Sequence, residues 1–343
     1  MLMNNNTSSS ALMKKIVILT GASDGLGKSA VQHLVSDHFN SEKQAVHVIM
    51  ACRSEEKALN AMKEIESHLL NTTSSSSIKG SMEFMKLDLS DLESVKEFAK
   101  KFLEKNLPLH SLVCNAGCWS SNDRKTTKQG FEMTYGINHL GHFLLVHLLL
   151  DKLKQSAPTR VVIVASSLHK RGNIQELLQD PNCEHSKFSG NQAYNNSKLA
   201  NVLFAYGLVR RLSQESDSSS SSTIGQSSST SSSNNNHNTA NHLPQCGVSV
   251  YALHPGVVNT ALLREAIPSW IKPLTSLFFQ TPEYAGGCIA YHAMDSKQEG
   301  VTGMKFYDQW KEKKSVKDSY QEKYQDELWE MSMTQLTPYL KAD

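Results

Sequence analysis

The chain has 343 residues, of which 39% are hydrophobic and 20% are charged, and its 35 basic and 33 acidic side chains leave a net charge of +2. This length supports a sizeable buried core. The balanced charge excludes a strongly basic nucleic-acid binder and an acidic disordered protein. The six cysteines form no C-x-x-C pair, so we expect no disulfide framework, and a reducing compartment fits.

The N-terminus and the longest apolar run carry no targeting or membrane-spanning signal. The first 13 residues are polar and lack the apolar core of a signal peptide, so we interpret residues 1–13 as a disordered tail. The run Phe143–Leu150 is far shorter than the ~20 residues that a membrane span needs. A cytoplasmic location is the resulting expectation.

Two insertions rich in Ser and Asn, residues 71–77 and 216–241, interrupt the chain. The second holds 12 Ser and 5 Asn among 26 residues. Because such segments cannot bury enough apolar area to offset their ordering entropy, we interpret both as disordered surface insertions. A phosphorylated regulatory loop is the alternative for the second. Residues 14–337 are predicted to form a single domain.

Strand-like and helix-like runs alternate along this domain. Strands are predicted at Lys15–Thr20, Ala45–Ala51, Met82–Leu87, Leu109–Val113, Arg160–Ala165 and Val248–Leu253. Helices are predicted at about Gly25–Ser36, Glu55–Leu70, Leu92–Glu104, Phe131–Leu153, Gln192–Leu212, Pro282–Met294 and Tyr320–Met331, and the chain past Pro255 is otherwise irregular. The alternation predicts an α/β fold with a doubly wound parallel sheet of the Rossmann type, in three αβα layers.

A glycine-rich loop, Gly21-Ala22-Ser23-Asp24-Gly25-Leu26-Gly27, joins the first predicted strand to the first helix. Glycines let the backbone turn sharply and approach a pyrophosphate, while the helix N-terminus offers free N–H groups. An ordinary glycine-rich turn is the alternative. The position of the loop directly after the first strand favours a dinucleotide site.

Tyr194 and Lys198 lie four residues apart on one predicted helix, so their side chains share a face. A free tyrosine has a pKa of ~10 and is a poor base at neutral pH. A nearby ammonium group is expected to lower the pKa of the phenol. The pair is therefore a hypothesis for a proton-transfer group, and a surface pair is the alternative.

The sequence resembles the short-chain dehydrogenase/reductase family in its compact single-domain form. The resemblance rests on the G-x-x-x-G-x-G loop and on Asn115-Ala116-Gly117, Asn138 in INHLGHF, Ser167 and Tyr194-x-x-x-Lys198. The stretch AYNNSKLANVLF is most similar to the retinol dehydrogenase and WW-domain oxidoreductase branch. The resemblance implies an oxidoreductase that exchanges a hydride between a nicotinamide cofactor and an alcohol or carbonyl carbon.

The resemblance also implies four catalytic residues, which are Asn138, Ser167, Tyr194 and Lys198. In reduction, Tyr194 is expected to donate a proton to the developing alkoxide while Ser167 hydrogen-bonds that oxygen and Lys198 supplies positive potential. Ser166 is the neighbouring candidate, but alternation along a strand lets only one of the two serines face the site, and alignment with the family selects Ser167. The backbone carbonyl of Asn138 is expected to hold a water that links Lys198 to solvent.

The end of the second strand bears on the choice of cofactor. It reads Met50-Ala51-Cys52-Arg53-Ser54 and lacks the carboxylate that binds a ribose 2′-hydroxyl in NAD sites. Arg53 can pair with a 2′-phosphate and therefore favours NADP(H), with NAD(H) as the alternative. Asp24 argues against NADP(H), because it lies at a loop position that is often basic in NADP-dependent relatives. The cofactor-binding residues implied by the resemblance are Gly21, Ser23, Gly25, Leu26, Gly27, Arg53, Asp88, Leu89, Asn115, Ala116, Gly117, Tyr194, Lys198, Pro255, Gly256, Val258 and Thr260.

The apolar and aromatic segment Ile267–Phe279 follows this last motif, and in the family such a segment covers the substrate. It favours a lipophilic alcohol or carbonyl, such as a retinoid, steroid or fatty aldehyde, with core packing and peripheral membrane contact as alternatives. The helices at Phe131–Leu153 and Gln192–Leu212 resemble the dimer interface of the family, so a homodimer and a monomer both stay open. His139, His142 and His147 are interpreted as structural, and no metal site is expected.

Two other functions stay open. One is a catalytically weak nucleotide-sensing interaction protein on the same fold, which the intact Tyr, Lys, Ser and Asn set argues against. The other is a protochlorophyllide reductase-like enzyme, because MACRS, NHLGHFLL and TALLREAIP also resemble that family. Ala200 replaces the cysteine that those enzymes carry after the Tyr-x-x-x-Lys motif.

Overall fold

The computed structural model of the protein describes residues 14–36, 45–72, 80–120, 123–221, 246–257, 280–295 and 303–340. The predicted N-terminal tail, most of both Ser/Asn insertions, the segment 267–279 and the proposed cofactor residues Val258 and Thr260 lie outside these ranges.

Eight strands form one sheet in the order β3-β2-β1-β4-β5-β6-β7-β8. All neighbouring pairs are parallel except β7 and β8. The strands are β1 (Lys15–Thr20), β2 (Val46–Cys52), β3 (Ser81–Lys86), β4 (Ser111–Cys114), β5 (Thr159–Val164), β6 (Val248–His254), β7 (Lys305–Asp308) and β8 (Lys311–Lys313). The predicted doubly wound fold is confirmed, and the strand order reverses between β1 and β4, where ligands bind in such sheets.

The helices that cover the sheet are α1 (Gly25–Val35), α2 (Glu55–Thr72), α3 (Leu92–Glu104), α4 (Gly141–Gln155), α5 (Ile174–Gln179), α6 (Gly190–Ser221), α7 (Pro282–Met294) and α8 (Glu322–Leu340). A helical turn at Met133–Tyr135 and a π-helical turn at Gly136–Leu140 lead into α4. Helix α6 is longer than predicted and includes the first residues of the second Ser/Asn insertion.

The core lies on both faces of the sheet, as the short β-branched strands require. One apolar cluster joins the sheet to α3, α4, α6 and α8 and includes Phe98, Phe143 and Phe204. The other joins it to α1, α2 and α7 and includes Val31 and Ile289. The three predicted layers follow from these two clusters.

The prediction of an irregular chain past Pro255 is wrong for residues 305–313. Lys305–Asp308 pairs with β6 in parallel and then turns back into β8. Phe306 and Tyr307 are buried, one on each face. Strand β7 has only four residues and lies between polar neighbours, so its apolar pattern is too short to distinguish a strand from a loop.

The C-terminal helix α8 packs across α4 and α6. The Trp329 ring lies 4.8 Å from that of Phe143 and 6.0 Å from that of Phe204. The Arg211 guanidinium lies 4.2 Å from the centre of the Trp329 ring, and Arg210 pairs with Asp326. Helices α4 and α6, which resemble the dimer interface of the family, are therefore covered on this face by α8 of the same chain.

Candidate active site

The site lies at the carboxyl ends of β1, β4, β5 and β6. Two adjoining cavities of about 470 Å³ and about 380 Å³ share Gly21, Asp24, Ala116 and Gly117 along their walls. Together they form one elongated cleft. One end holds Tyr194 and Lys198, and the other end holds Arg53.

The glycine loop forms the middle of this cleft, and its glycines are needed for its shape. Gly21 and Gly25 have φ angles of +67° and +49°, a region that side chains rarely adopt. A Cβ atom on Gly27 would lie 2.1 Å from the Gly21 carbonyl oxygen, so no larger residue fits there. The predicted residues Ser23 and Leu26 also line the cleft.

Asp24 caps α1, since its carboxylate accepts the Gly25 N–H at 2.7 Å. Its charge is thus held against the positive end of the helix. This arrangement explains how an acidic residue can occupy a loop position that is often basic in NADP-dependent relatives.

The outer end of the cleft is lined by Arg53, Asp88 and Leu89, as predicted, and also by Lys57. The Arg53 side chain is exposed to solvent. Lys57, on the first turn of α2, adds a second cation to this end. Sequence reasoning missed Lys57, although its spacing of four residues from Arg53 was available as a signal.

Asp88 lines the cleft and closes a turn with Ser90. Its carboxylate accepts hydrogen bonds from the backbone N–H and the hydroxyl of Ser90 at 2.9 and 2.6 Å, and it lines the cleft. Asp91 is the residue that caps α3, accepting the Glu93 N–H at 3.1 Å. Capping by Asp91 leaves Asp88 at the edge of the cleft.

Asn115 joins the ends of β1 and β4. Its side-chain amide donates to the Thr20 carbonyl at 2.8 Å. In return, the Thr20 hydroxyl accepts the backbone N–H groups of Asn115 and Ala116, each at 2.9 Å. This reciprocal pairing holds Ala116 and Gly117 against the glycine loop.

Asn138 is fully buried and holds the loop that follows β4. Its side-chain oxygen accepts the Cys118 N–H at 2.8 Å, and its side-chain nitrogen donates to the Cys118 carbonyl at 3.1 Å. The Asn138 carbonyl, which is expected to hold a water, accepts a hydrogen bond from His142 Nδ1 at 3.1 Å.

His142 links this carbonyl to Thr20, a connection that sequence reasoning missed. Burial lowers the pKa of His142 to about 4, so the ring is neutral at physiological pH. Because Nδ1 carries the proton donated to Asn138, Nε2 is the acceptor, and it lies 2.9 Å from the Thr20 hydroxyl. One neutral imidazole thus ties the end of β1 to the π-helical turn.

Tyr194 and Lys198 face the same end of the cleft, and only 7% and 4% of their surfaces are exposed. Lys198 Nζ lies 5.6 Å from the centre of the Tyr194 ring and donates to the Val164 carbonyl at 3.0 Å. Burial lowers the pKa of Lys198 to about 8. The pair predicted from its spacing is therefore brought together in a buried setting.

The expected lowering of the Tyr194 pKa is contradicted. Burial raises the pKa of the phenol to about 12, and a hydrogen bond with the Ser166 side chain only partly offsets this effect. The reason is that removal from water disfavours the charged phenolate. The phenol is therefore protonated at neutral pH, as a proton donor must be, although the raised pKa makes it a weaker acid than a free tyrosine.

Both Ser166 and Ser167 line the cleft, so the argument that only one of them can face it is wrong. Strand β5 ends at Val164, and Ser166 caps a 3₁₀ turn that starts at Ser167. Alternation along a strand does not apply beyond the end of that strand. Of the two serines, Ser166 is the one whose side chain lowers the pKa of the Tyr194 phenol.

The remaining predicted residues Pro255 and Gly256 line the cleft beside Tyr194. Trp119, which the sequence analysis did not single out, stacks on the Tyr194 ring. Within the described ranges no cluster of three or more His, Cys, Asp or Glu side chains could hold a metal ion. None of the described helices is both long and apolar enough to cross a membrane.

Comparisons with known proteins agree with this geometry. Residues 15–177 match the short chain dehydrogenase family. Human retinol dehydrogenase 11 is 36% identical over 88% of this chain and 80% of its own length, and human polyprenol dehydrogenase is 34% identical over 93% and 84%.

Solved structures share the fold. An uncharacterised protein from Mycobacterium paratuberculosis, 25% identical, covers 95% of this chain and 94% of its own with a TM-score of 0.63. An actinorhodin polyketide ketoreductase solved with NADPH, 16% identical, covers 86% and 95% with a TM-score of 0.57. The chain therefore belongs to the short-chain dehydrogenase/reductase family of oxidoreductases, in its retinol dehydrogenase-like branch.

Proposed function

We propose that the protein is an NADP(H)-dependent oxidoreductase that interconverts an alcohol and a carbonyl on a lipophilic substrate. The observation that carries this proposal is the buried, protonated Tyr194 beside Lys198, at one end of a cleft whose other end holds Arg53. The names of the relatives, retinol dehydrogenase and polyprenol dehydrogenase, support the class of reaction.

The residues present fit a nicotinamide dinucleotide. The loop from Gly21 to Gly27 offers backbone N–H groups and the N-terminus of α1 to a pyrophosphate. Arg53 and Lys57 offer two cations to a 2′-phosphate at the outer end. When bound, NADP(H) supplies the hydride or accepts it, and the protein supplies orientation and electrostatics.

The side chains of the protein donate the proton and stabilise the charge that forms. Tyr194, which is protonated at neutral pH, donates its proton to the oxygen of the carbonyl being reduced as negative charge develops on that oxygen. Lys198 places a buried positive charge beside the phenolate that forms, and a serine hydroxyl holds the reacting oxygen. General acid catalysis of this kind contributes ~10²–10⁴-fold to the rate.

The lining of the cleft favours an apolar substrate. The cavity that contains Tyr194 is also lined by Trp119, Leu168 and Val257. A pocket that is mostly apolar with a few convergent polar groups is typical of sites for lipophilic small molecules. Ser166 and Tyr194 supply the polar groups in this case.

The test measures NADPH and then NADH consumption with all-trans-retinal, a 17-ketosteroid, nonanal and a quinone. We expect turnover of at least one lipophilic carbonyl and its loss in Tyr194→Phe, while NADPH still binds by fluorescence titration. Tyr339→Phe, on α8, is the matched control and keeps full activity. Wild-type protein that binds NADPH but turns over no carbonyl or alcohol would instead favour a nucleotide-sensing role.

Arg53→Ala tests the choice of cofactor. Loss of a charge-assisted contact to a phosphate weakens binding by about 10-fold or more. We expect the Kd for NADPH to rise by that factor and the Kd for NADH to stay nearly constant. An equal change for both cofactors would remove Arg53 as the discriminating residue.

A further inference from the structure

Trp119 covers one face of the Tyr194 ring. The two ring centres lie 4.3 Å apart and the ring planes differ by 9°, which is a parallel stack. Trp119 also lines the cleft at the end that holds Tyr194. The proton donor of the proposed reaction is therefore walled on one side by a rigid, flat side chain.

The position of this wall is fixed from two sides. The backbone of the preceding residue, Cys118, is held at both its N–H and its carbonyl by the buried Asn138 side chain. The Trp119 indole N–H is buried and has no acceptor within the described ranges. Stacking rather than hydrogen bonding therefore holds the indole, and a phenyl ring can replace it in this role.

This geometry restricts how a substrate reaches Tyr194. Because Trp119 covers one face of the ring, a substrate oxygen cannot approach the phenol from that face. The carbon of a ketone carries two substituents, whereas that of an aldehyde carries one substituent and a hydrogen. A second bulky substituent directed towards Trp119 would meet the indole that lines this end of the cleft.

We propose, resting on the oxidoreductase function proposed above, that Trp119 is a specificity-determining residue that excludes hindered ketones and favours unhindered aldehydes and primary alcohols. A pocket contact of this size discriminates between substrates by ~10–200-fold. The indole acts by shape alone, because its N–H takes part in no hydrogen bond among the described residues.

The test compares kcat/KM for nonanal and for a 17-ketosteroid in the wild type, Trp119→Ala and Trp119→Phe. We expect the wild type to prefer nonanal, Trp119→Ala to reduce this preference by about tenfold or more, and Trp119→Phe to retain it. NADPH titration checks that each variant keeps its cofactor site. If Trp119→Ala loses NADPH binding, Trp119→Leu takes its place, since it also lacks the flat ring. The same ratio of kcat/KM for nonanal to kcat/KM for the ketosteroid is then compared.

Three outcomes overturn the inference: a wild type that prefers the hindered ketone, a nonanal-to-ketosteroid ratio of kcat/KM that is unchanged in the variant without the ring, and a Trp119→Phe variant that loses the preference as fully as Trp119→Ala. Failure of the proposed function is distinguishable, since the wild type then turns over neither substrate.

Discussion

Lys198 is buried at a cost to stability, and replacing it by methionine should stabilise the fold while abolishing turnover. Burial lowers the pKa of its ammonium from 10.5 to about 8. A lysine with a lowered pKa in the folded state destabilises the protein wherever it is charged in both states, which is below about pH 8. This penalty fades as the pH rises towards 10.5, where the unfolded chain also loses the proton.

The magnitude follows from the pKa values. At about 1.4 kcal/mol per pKa unit, the penalty is about 3 kcal/mol at pH 7 and about 1 kcal/mol at pH 9.5. Lys198→Met also removes the hydrogen bond to the Val164 carbonyl, worth about 1 kcal/mol. That carbonyl keeps the Asn201 side-chain amide as a donor at 3.2 Å, so it is not left without a partner.

The net expectation for Lys198→Met is a gain of about 2 kcal/mol in the free energy of unfolding at pH 7, which falls to near zero at pH 9.5. The assay is chemical denaturation without cofactor at both pH values. Lys187→Met, at an exposed lysine, controls for the change of residue type and should alter stability little at either pH. A Lys198→Met protein that is less stable than the wild type at pH 7 would refute the reasoning.

Two further predictions concern the serines and the C-terminal helix. Ser166→Ala should lower kcat/KM by about 10-fold or more, and by more than Ser167→Ala does, because the Ser166 side chain is the one that affects the Tyr194 phenol. Steady-state kinetics of the two variants test this, and a larger loss in Ser167→Ala would favour Ser167 as the catalytic serine. Trp329→Ala should lower the free energy of unfolding by about 3 kcal/mol, because its ring packs on Phe143 and Phe204. Denaturation compared with the exposed control Glu327→Ala measures this, and equal values for the two variants would contradict it.

The features predicted well from the sequence are those set by local pattern. The glycine loop, the strand that precedes it and the helix that follows it are neighbours in the chain, so their spacing defines the turn. Helix α3 and helix α7 were bounded correctly for the same reason, since a cap starts each of them and apolar spacing continues it. The spacing of Tyr194 and Lys198 likewise placed both side chains on one face.

The features that were missed depend on contacts between distant parts of the chain. The pKa of Tyr194 depends on its burial under Trp119 and neighbouring residues, which no local pattern encodes. The link from Thr20 through His142 to Asn138 joins residues more than a hundred positions apart. Whether one or both of Ser166 and Ser167 can face the cleft depends on where β5 ends. The ends of strands are among the features that a sequence predicts least reliably.

The helix α8 has a consequence for any shortened form of this protein. It follows the rest of the described fold in sequence, yet it shields aromatic rings of α4 and α6 that lie well over a hundred positions earlier. A chain cut before Glu322 presents Phe143, Phe204 and the His139 ring, which is bonded to Ser332 in the intact fold, to water. Such a fragment exposes an apolar patch through which proteins aggregate or bind other molecules. Tags and cleavage sites are therefore better placed at the N-terminus, where they leave α8 intact.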